Sequence, residues 1–176
     1  LDITGKVLSQ TESNVKSEDL EAVLPQFRGD IMQLPPMYSA VSKDGVRLYE
    51  LARKGLVTER EARPITVYKL DLLNFDEQLQ SAKILVKCSK GTYIRTLCEN
   101  IAEEMQTVGY MKELKRTKVG KFTIEQAITI EQLKEGQNIK VITIEEMFED
   151  KEKIQLEDDD IKLLLNGVKL KKEKQD

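Results

Sequence analysis

The chain contains no histidine among its 176 residues. This absence removes the commonest general base and metal ligand in proteins, so it excludes serine–histidine and cysteine–histidine catalysis within the chain. There are only two cysteines, Cys88 and Cys98, and their number and spacing fit neither a zinc site nor a disulfide framework. We therefore expect a reducing, cytoplasmic environment. No stretch approaches the roughly 18 apolar residues that a membrane helix needs, so we expect no membrane association.

Charge is unevenly distributed, although the net value is only −3 at pH 7. Residues 110–121 carry five basic side chains against one acidic side chain, whereas residues 145–160 carry nine acidic side chains against two lysines. Such asymmetry is compatible with a basic working face and an acidic segment elsewhere. Ordinary solvated charge is the alternative for both segments, and the acidic one also fits the contact surface of a protein-interaction domain.

The centre of the chain predicts two strands followed by a helix. Residues 65–75 are rich in β-branched side chains, and residues 82–88 alternate between apolar and polar ones. Turn-forming residues follow, and an apolar helical period then predicts a helix over 92–106 with Thr92 as its cap. Because strands and helices alternate without regular βαβ units, we predict an α+β fold with a mixed or largely antiparallel sheet flanked by helices.

The remaining predicted elements are short. Strands are predicted at 2–8, 37–43 and 119–123, and Asp44-Gly45 is a turn signal. Helices are predicted to begin at Ser17, Tyr49, Tyr110, Thr129, Thr143 and Asp158. The composition becomes strongly charged near residue 150, which indicates a boundary between a main domain, 1–150, and a second segment, 151–176.

Arg95 falls in the first turn of the predicted helix, at the positive end of the helix dipole. A cation at this place is unfavourable by about 0.3–1 kcal/mol unless an anion meets it. We therefore expect a carboxylate or a phosphate beside Arg95. The alternative is a surface arginine that tolerates the dipole.

Two long motifs resemble those of the tRNA pseudouridine synthase B (TruB) family. One covers residues 88–96 (CSKGTYIRT), and the other covers 33–41 (QLPPMYSAV) followed by 45–55 (GVRLYELARKG). Shorter matches at 61–65 (EARPI) and 114–116 (LKR) fall in the family's order. The resemblance extends over about residues 1–133 of the printed sequence.

The resemblance implies that uridine 55, in the T arm of tRNA, is converted to its C–C-linked isomer without a cofactor or a metal. The target base would leave the stem-loop and enter a pocket. In that pocket Arg95 would keep a catalytic aspartate ionised, Tyr93 would contact the flipped base and Leu114 would supply an apolar contact. The alternatives are a tyrosine packed on the sheet and a core leucine. The resemblance also implies a cytoplasmic enzyme, which we expect to be a monomer, and a small PUA-type RNA-binding module beginning at 151–176.

Residues 37–63 resemble the family's RNA-gripping insertion, in which basic side chains contact phosphates and tyrosines stack on bases. Ser42 stands where the family usually has a lysine, and Lys43 follows it. On a strand this shift turns the charge to the other side unless a bulge compensates. A surface hairpin is the alternative. The RNA-binding residues carried over are Tyr38, Lys43, Arg47, Tyr49, Arg53, Arg63, Lys90, Thr92, Lys115 and Arg116.

The family's nucleophilic aspartate has no match in this sequence. Asp2 lies in Leu-Asp-Ile-Thr-Gly, which lacks the proline of the nucleophile loop and has its glycine one residue too early. Residues 1–8 fit a later family segment instead. We therefore expect the nucleophile to lie upstream of residue 1 and the chain to be a fragment that is inactive by itself. The alternative is a non-catalytic RNA-binding module on the same scaffold.

Overall fold

The computed structural model describes residues 2–136 and 139–170 of the chain. They fall into two compact units, Leu1–Arg116 and Thr117–Asp176. The boundary near residue 150 between a main domain and a second segment stays a prediction.

A three-stranded antiparallel sheet of Gly29–Gln33, Arg63–Asp76 and Ser81–Cys88 is the centre of the first unit, with Arg63–Asp76 as its middle strand. The elements of this unit are α1 (Ser17–Val23), a 3-10 turn (Leu24–Phe27), β1 (Gly29–Gln33), β2 (Ser42–Lys43), β3 (Val46–Arg47), α2 (Leu48–Arg53), β4 (Arg63–Asp76), β5 (Ser81–Cys88) and α3 (Ile94–Glu104). Strand β4 is long enough to pair with β1 through its first residues and with β5 through the rest, and two register shifts interrupt the second pairing. The predicted α+β class with a largely antiparallel sheet is confirmed.

The hydrophobic core lies between one face of this sheet and the helices α1 and α3. Leu70, in the middle of β4, is completely buried, and Leu97 and Ile101 of α3 pack into the same cluster. Leu20 and Leu24 close the cluster from the side of α1. Burying each leucine stabilises the fold by about 1.5–3 kcal/mol, so the core fixes α3 firmly against β4.

The central predictions are confirmed, with one correction. Strands β4 and β5 cover the predicted ranges 65–75 and 82–88, and α3 lies within the predicted helix. The cap was wrong: the N-cap residue is Tyr93, since the hydroxyl of Thr92 donates instead to the carbonyl of Ser89 at 3.0 Å. Strand β1 was not predicted.

Three of the short predicted elements were wrong. Residues 2–8 form no strand, because the chain turns at once with the Gly5 N–H bonded to the Asp2 carbonyl, and only an isolated bridge joins Asp2 to Met111. Residues 110–114 form no helix, since the Met111 carbonyl accepts the Ile3 N–H. Only Ser42–Lys43 of the range 37–43 is a strand.

Residues 42–55 form a hairpin followed by a short helix. Strands β2 and β3 pair across the predicted turn, where Asp44 and Gly45 both have positive φ angles. Helix α2 follows, and its first residue, Leu48, is buried. Gly55 ends the helical segment with φ +72°. The turn and the helix are confirmed.

The second unit consists of short elements. They are β6 (Lys118–Val119), β7 (Phe122–Thr123), a 3-10 turn (Ile124–Gln126), α4 (Ile130–Lys134), α5 (Ile144–Met147) and α6 (Asp158–Leu165). The predicted strand at 119–123 is a two-stranded hairpin, because Gly120 adopts φ +57° and reverses the chain. The helices predicted at Thr129, Thr143 and Asp158 are confirmed. Residues 171–176, part of the segment predicted to begin a PUA-type module, lie outside the described residues.

Candidate active site

The start of helix α3 carries Tyr93 and Arg95. Tyr93 has extended backbone angles, φ −95° and ψ 104°, and the helix begins at the next residue. The preceding loop is tied to the sheet, because the Ser89 N–H donates to the Thr66 carbonyl at 2.8 Å and the Thr66 N–H donates to Ser89 Oγ at 3.0 Å. The sheet therefore determines where the helix starts.

Gln33, the last residue of β1, holds the backbone of Tyr93 through both ends of its side-chain amide. Its Oε1 accepts a hydrogen bond from the Tyr93 N–H at 2.8 Å, and its Nε2 donates to the Tyr93 carbonyl at 3.1 Å. The Gln33 residue is only 4% exposed. Burial makes such bonds costly to lose, since each unpaired polar group would cost about 1–3 kcal/mol.

The guanidinium of Arg95 is held by two oxygens. Its Nη2 donates to the Tyr38 carbonyl at 2.8 Å, and its Nη1 lies 3.5 Å from Oδ2 of Asp2. The side chains of Arg95 and Asp2 are 26% and 27% exposed, so the ion pair is partly shielded from water. The anion expected beside Arg95 is therefore present, and the acid is supplied by the chain itself.

Asp2 is fixed by its own turn. The hydroxyl of Thr4 donates to Asp2 Oδ1 at 2.7 Å and the Thr4 N–H donates to the same oxygen at 3.2 Å. The Thr4 hydroxyl is the main cause that lowers the pKa of the Asp2 carboxyl below its usual value, with a smaller contribution from Arg95. The Ile3 N–H bond to Met111 anchors this turn to the rest of the unit.

A cleft of about 460 Å³ opens beside Tyr93. It is lined by Val41, Arg63, Pro64, Ile65, Lys90, Gly91 and Tyr93. Tyr93 is half-buried at this cleft, and the side chains of Arg63 and Lys90 are exposed. An aromatic ring, an apolar wall and two cations are the groups that a nucleotide requires, since the base needs a flat apolar contact and the phosphate a positive charge.

The predicted contacts Leu114, Lys115 and Arg116 lie on an irregular segment that follows Met111. Leu114 is 54% exposed, so the alternative of a core leucine is wrong. Lys115 and Arg116 are exposed as well, and no hydrogen bond or ion pair within the described residues ties either of them to the start of α3. All three side chains are therefore accessible to a ligand.

The cations of the predicted insertion are largely bonded within it. The Lys43 ammonium donates to the Glu59 carbonyl at 2.9 Å, and the Arg47 guanidinium donates to the carbonyl of Ala40. The guanidinium of Arg53 lies 5.3 Å from the centroid of the Tyr49 ring, in a cation–π contact.

The side chains around Ser42 differ in exposure. Ser42 pairs with Arg47 and is exposed, whereas Lys43 is half-buried. Tyr38 is exposed, although its carbonyl is taken by Arg95. The ammonium of Lys43 thus binds a backbone carbonyl of the insertion itself.

Sequence reasoning missed Asp2 and Gln33 as parts of this site. The pattern Asp-x-Thr is typical of an Asx-type turn, which was the available signal for Asp2. For Gln33 the only signal was a polar residue just before two prolines. Both contacts join residues at least 60 positions apart, and such pairings leave no periodic trace in a sequence.

Within the described residues, no three Cys, Asp or Glu side chains are grouped so that they would hold a metal ion. Cys88 and Cys98 are free, and burial raises the pKa of the Cys98 thiol. Among the described helices, none combines the length and apolar character needed to cross a membrane.

Comparison with known proteins gives two successive family matches. Residues 1–94 match the model of the TruB family pseudouridylate synthase (N terminal domain). Residues 95–156 match that of the tRNA pseudouridylate synthase B C-terminal domain. The chain belongs to the TruB pseudouridine synthase family. The resemblance seen in the sequence motifs is thereby confirmed, and the two matched segments meet at the start of α3.

Curated relatives agree with this assignment. The chain is 51% identical over 132 residues to tRNA pseudouridine synthase B of Pseudomonas fluorescens (strain Pf0-1), covering 75% of this chain and 43% of that protein. It is 43% identical over 170 residues to tRNA pseudouridine synthase B of Clostridium novyi (strain NT), covering 96% and 58%. The chain thus spans about half the length of the TruB relatives that it matches.

A solved structure shares the fold. It is the crystal structure of a Cbf5–Nop10–Gar1 complex, with a TM-score of 0.55 and 28% sequence identity. The match covers 70% of this chain and 32% of that chain. The mixed α+β fold of this chain is therefore shared with a known structure.

Proposed function

We propose that the protein to which this chain belongs converts uridine 55 in the T arm of tRNA to pseudouridine, in the cytoplasm, as a monomer and without a cofactor. The observation that carries the proposal is the cleft lined by Tyr93, Arg63 and Lys90. Arg95 follows Tyr93 in the first turn of α3 and pairs with Asp2 at 3.5 Å, outside the residues that line this cleft. The reaction breaks the N1–C1′ bond of uridine, forms a C5–C1′ bond and moves a proton from C5 to N1. Electrons and atoms balance without an oxidant.

Arg95 keeps the nucleophilic aspartate ionised in this proposal. A neighbouring guanidinium lowers a carboxyl pKa by about 1–3 units, and the side chain of Arg95 is partly shielded from water. Asp2 and the Tyr38 carbonyl act through Arg95, since they hold its guanidinium from two sides. They are positioning groups for the cation.

The target base leaves the stem-loop and enters the cleft. Unstacking costs a few kcal/mol, which contacts to the extruded base must offset. Tyr93 supplies the aromatic contact and Leu114 the apolar one. Phosphates on either side of the base are met by the remaining cations and polar groups, which are Arg63, Lys90, Thr92, Lys115 and Arg116.

Residues 37–63 grip the RNA next to the flipped nucleotide. Tyr38 and Tyr49 offer rings for stacking, and Lys43, Arg47 and Arg53 offer positive charge. Residues 151–176, which include α6, begin a PUA-type module that extends the RNA contact.

The nucleophilic aspartate lies outside residues 1–176 in this proposal, because no aspartate of the printed sequence fits the family's nucleophile loop. Chain 1–176 by itself therefore leaves uridine unchanged. The full-length protein supplies the missing group.

Isomerisation of a T-arm hairpin by the full-length protein tests the function. Tritium at C5 of the target uridine is released to water when the C5–C1′ bond forms, so the release measures turnover. We expect release with the full-length protein and none with chain 1–176. Binding without release by the full-length protein would contradict the proposal and favour a non-catalytic RNA-binding module.

A further inference from the structure

We propose that Gln33 is a positioning residue for the isomerisation, because it fixes the backbone from which Tyr93 enters the cleft. The inference rests on the proposed function. No residue role assigned above requires Gln33, yet its amide is buried and both its ends are bonded to the same residue, Tyr93. A two-point bond of this kind fixes orientation as well as distance.

The Gln33 amide bonds to the same carbonyl that forms the first hydrogen bond of helix α3. The Tyr93 carbonyl accepts the Leu97 N–H at 3.0 Å in addition to the Gln33 amide at 3.1 Å. The helical bond holds only the carbonyl of Tyr93. Gln33 also accepts from the Tyr93 N–H, so both backbone groups of Tyr93 are held.

Gln33 also connects the two walls of the cleft. It lies opposite Arg63 in the pairing of β1 with β4, and both Arg63 and Tyr93 line the cleft. Gln33 is thus a direct contact between the aromatic wall at the start of α3 and the cationic wall on β4, in addition to the core and the Ser89–Thr66 hydrogen bonds. A misplacement of about 1 Å in a reacting group can reduce a rate by about a hundredfold.

The experiment uses the full-length protein with Gln33→Met, which keeps the length of the side chain and removes the amide. Gln26→Met is the matched control, because Gln26 is exposed on the turn that precedes β1. We expect the single-turnover rate at saturating hairpin to fall about 10- to 100-fold in Gln33→Met. The dissociation constant for the hairpin should change less than about threefold, and Gln26→Met should match the wild type.

Amide hydrogen exchange gives a second measurement that does not depend on turnover. The Tyr93 N–H should exchange faster in Gln33→Met, while the N–H groups in the middle of β4 keep their protection. If Gln33→Met does not fold, Gln33→Asn replaces it, since that side chain keeps an amide but is one methylene too short to reach both groups. Its rate should also fall at unchanged affinity.

Two results would overturn the inference while the proposed function stands. One is a wild-type rate in Gln33→Met, and the other is an equal loss of rate and affinity that follows the fraction of folded protein. A wild-type protein that isomerises no uridine would instead overturn the proposed function, and the role of Gln33 in it.

Discussion

The two units of the chain differ in what holds them together. In the described residues, every buried side chain belongs to the unit Leu1–Arg116. None of residues 117–136 and 139–170 is buried, and apolar side chains such as Val141 and Leu165 are 77% and 82% exposed. Tertiary burial therefore supports the first unit, whereas local hydrogen bonds support the second.

The helices of the second unit show what local support means. Thr129 and Thr143 each accept a hydrogen bond from the backbone N–H three residues later, and the side chains at those later positions, Gln132 and Glu146, bond back. Capping of this kind contributes about 1 kcal/mol per helix end, and helices this short are marginal without tertiary packing. The candidate site lies in the unit that has a core, where catalytic groups can be held rigidly.

Leu70→Ala is the strongest test of this difference. Removing a completely buried leucine should lower the free energy of unfolding by about 2–5 kcal/mol, because a cavity remains in the core. Leu165→Ala, in the second unit, should change it by less than about 0.5 kcal/mol. Urea unfolding of chain 1–176, followed by circular dichroism, measures both. Equal effects would show that the second unit has a core of its own.

Arg95→Ala tests whether the site is electrostatic. In the full-length protein we expect turnover of the T-arm hairpin to fall by about 10²- to 10³-fold, because the charge that keeps the aspartate ionised is lost. RNA affinity should fall by much less. Lys140→Ala removes a well-exposed cation of the second unit and serves as the control. Equal losses of turnover and affinity would mean that Arg95 only holds phosphate.

Asp2→Asn separates the positioning of Arg95 from its charge. We expect about a tenfold loss of turnover in the full-length protein, since one of the two oxygens that hold the guanidinium loses its charge. The pKa of Asp2 is lowered, chiefly by the Thr4 hydroxyl. Asp2 is therefore fully ionised at any pH above the usual carboxyl pKa. Its charge is lost only when the pH falls through the lower pKa of the folded state.

The pH dependence of turnover tests whether the pKa of Asp2 is lowered. The ratio of wild-type to Asp2→Asn turnover should therefore stay constant between about pH 6 and 8. A ratio that changed across this range would contradict a lowered pKa at Asp2.

Arg116→Ala should give the smallest effect. If Arg116 contacts a phosphate, its loss reduces the slope of log affinity against log salt by about 0.7–0.9. Lys140→Ala, which lies outside the proposed RNA contacts and outside residues 151–176, is the control for a solvated cation, and it should leave the slope unchanged. Titrations of a labelled hairpin at several salt concentrations measure both slopes.

The sequence predicted those elements whose side chains follow a period. Strands β4 and β5 and helix α3 have clear apolar patterns, and the anion beside Arg95 followed from the helix dipole. It did not predict β1, whose five residues have no alternation that distinguishes them from a loop.

The contacts within the site were harder to predict. Tyr93 and Arg95 came from the motif, but Gln33 and Asp2 reach them across 60 and 93 positions. The prediction of a strand at 37–43 was wrong for the same reason. The carbonyls of Tyr38 and Ser39 bond to Arg95 and to the Tyr49 N–H rather than to a neighbouring strand. Tertiary hydrogen bonds, unlike burial, have no signature in local composition.

The backbone bonds of Lys43 and Arg47 have a consequence for how the insertion meets a polyanion. Both cations are already ordered by carbonyl groups, and neither forms an ion pair in the described part of the chain. A carbonyl carries no net charge, so neither cation is neutralised by its partner. In the proposed complex, the entropy of arranging these two side chains is therefore lost before the RNA arrives.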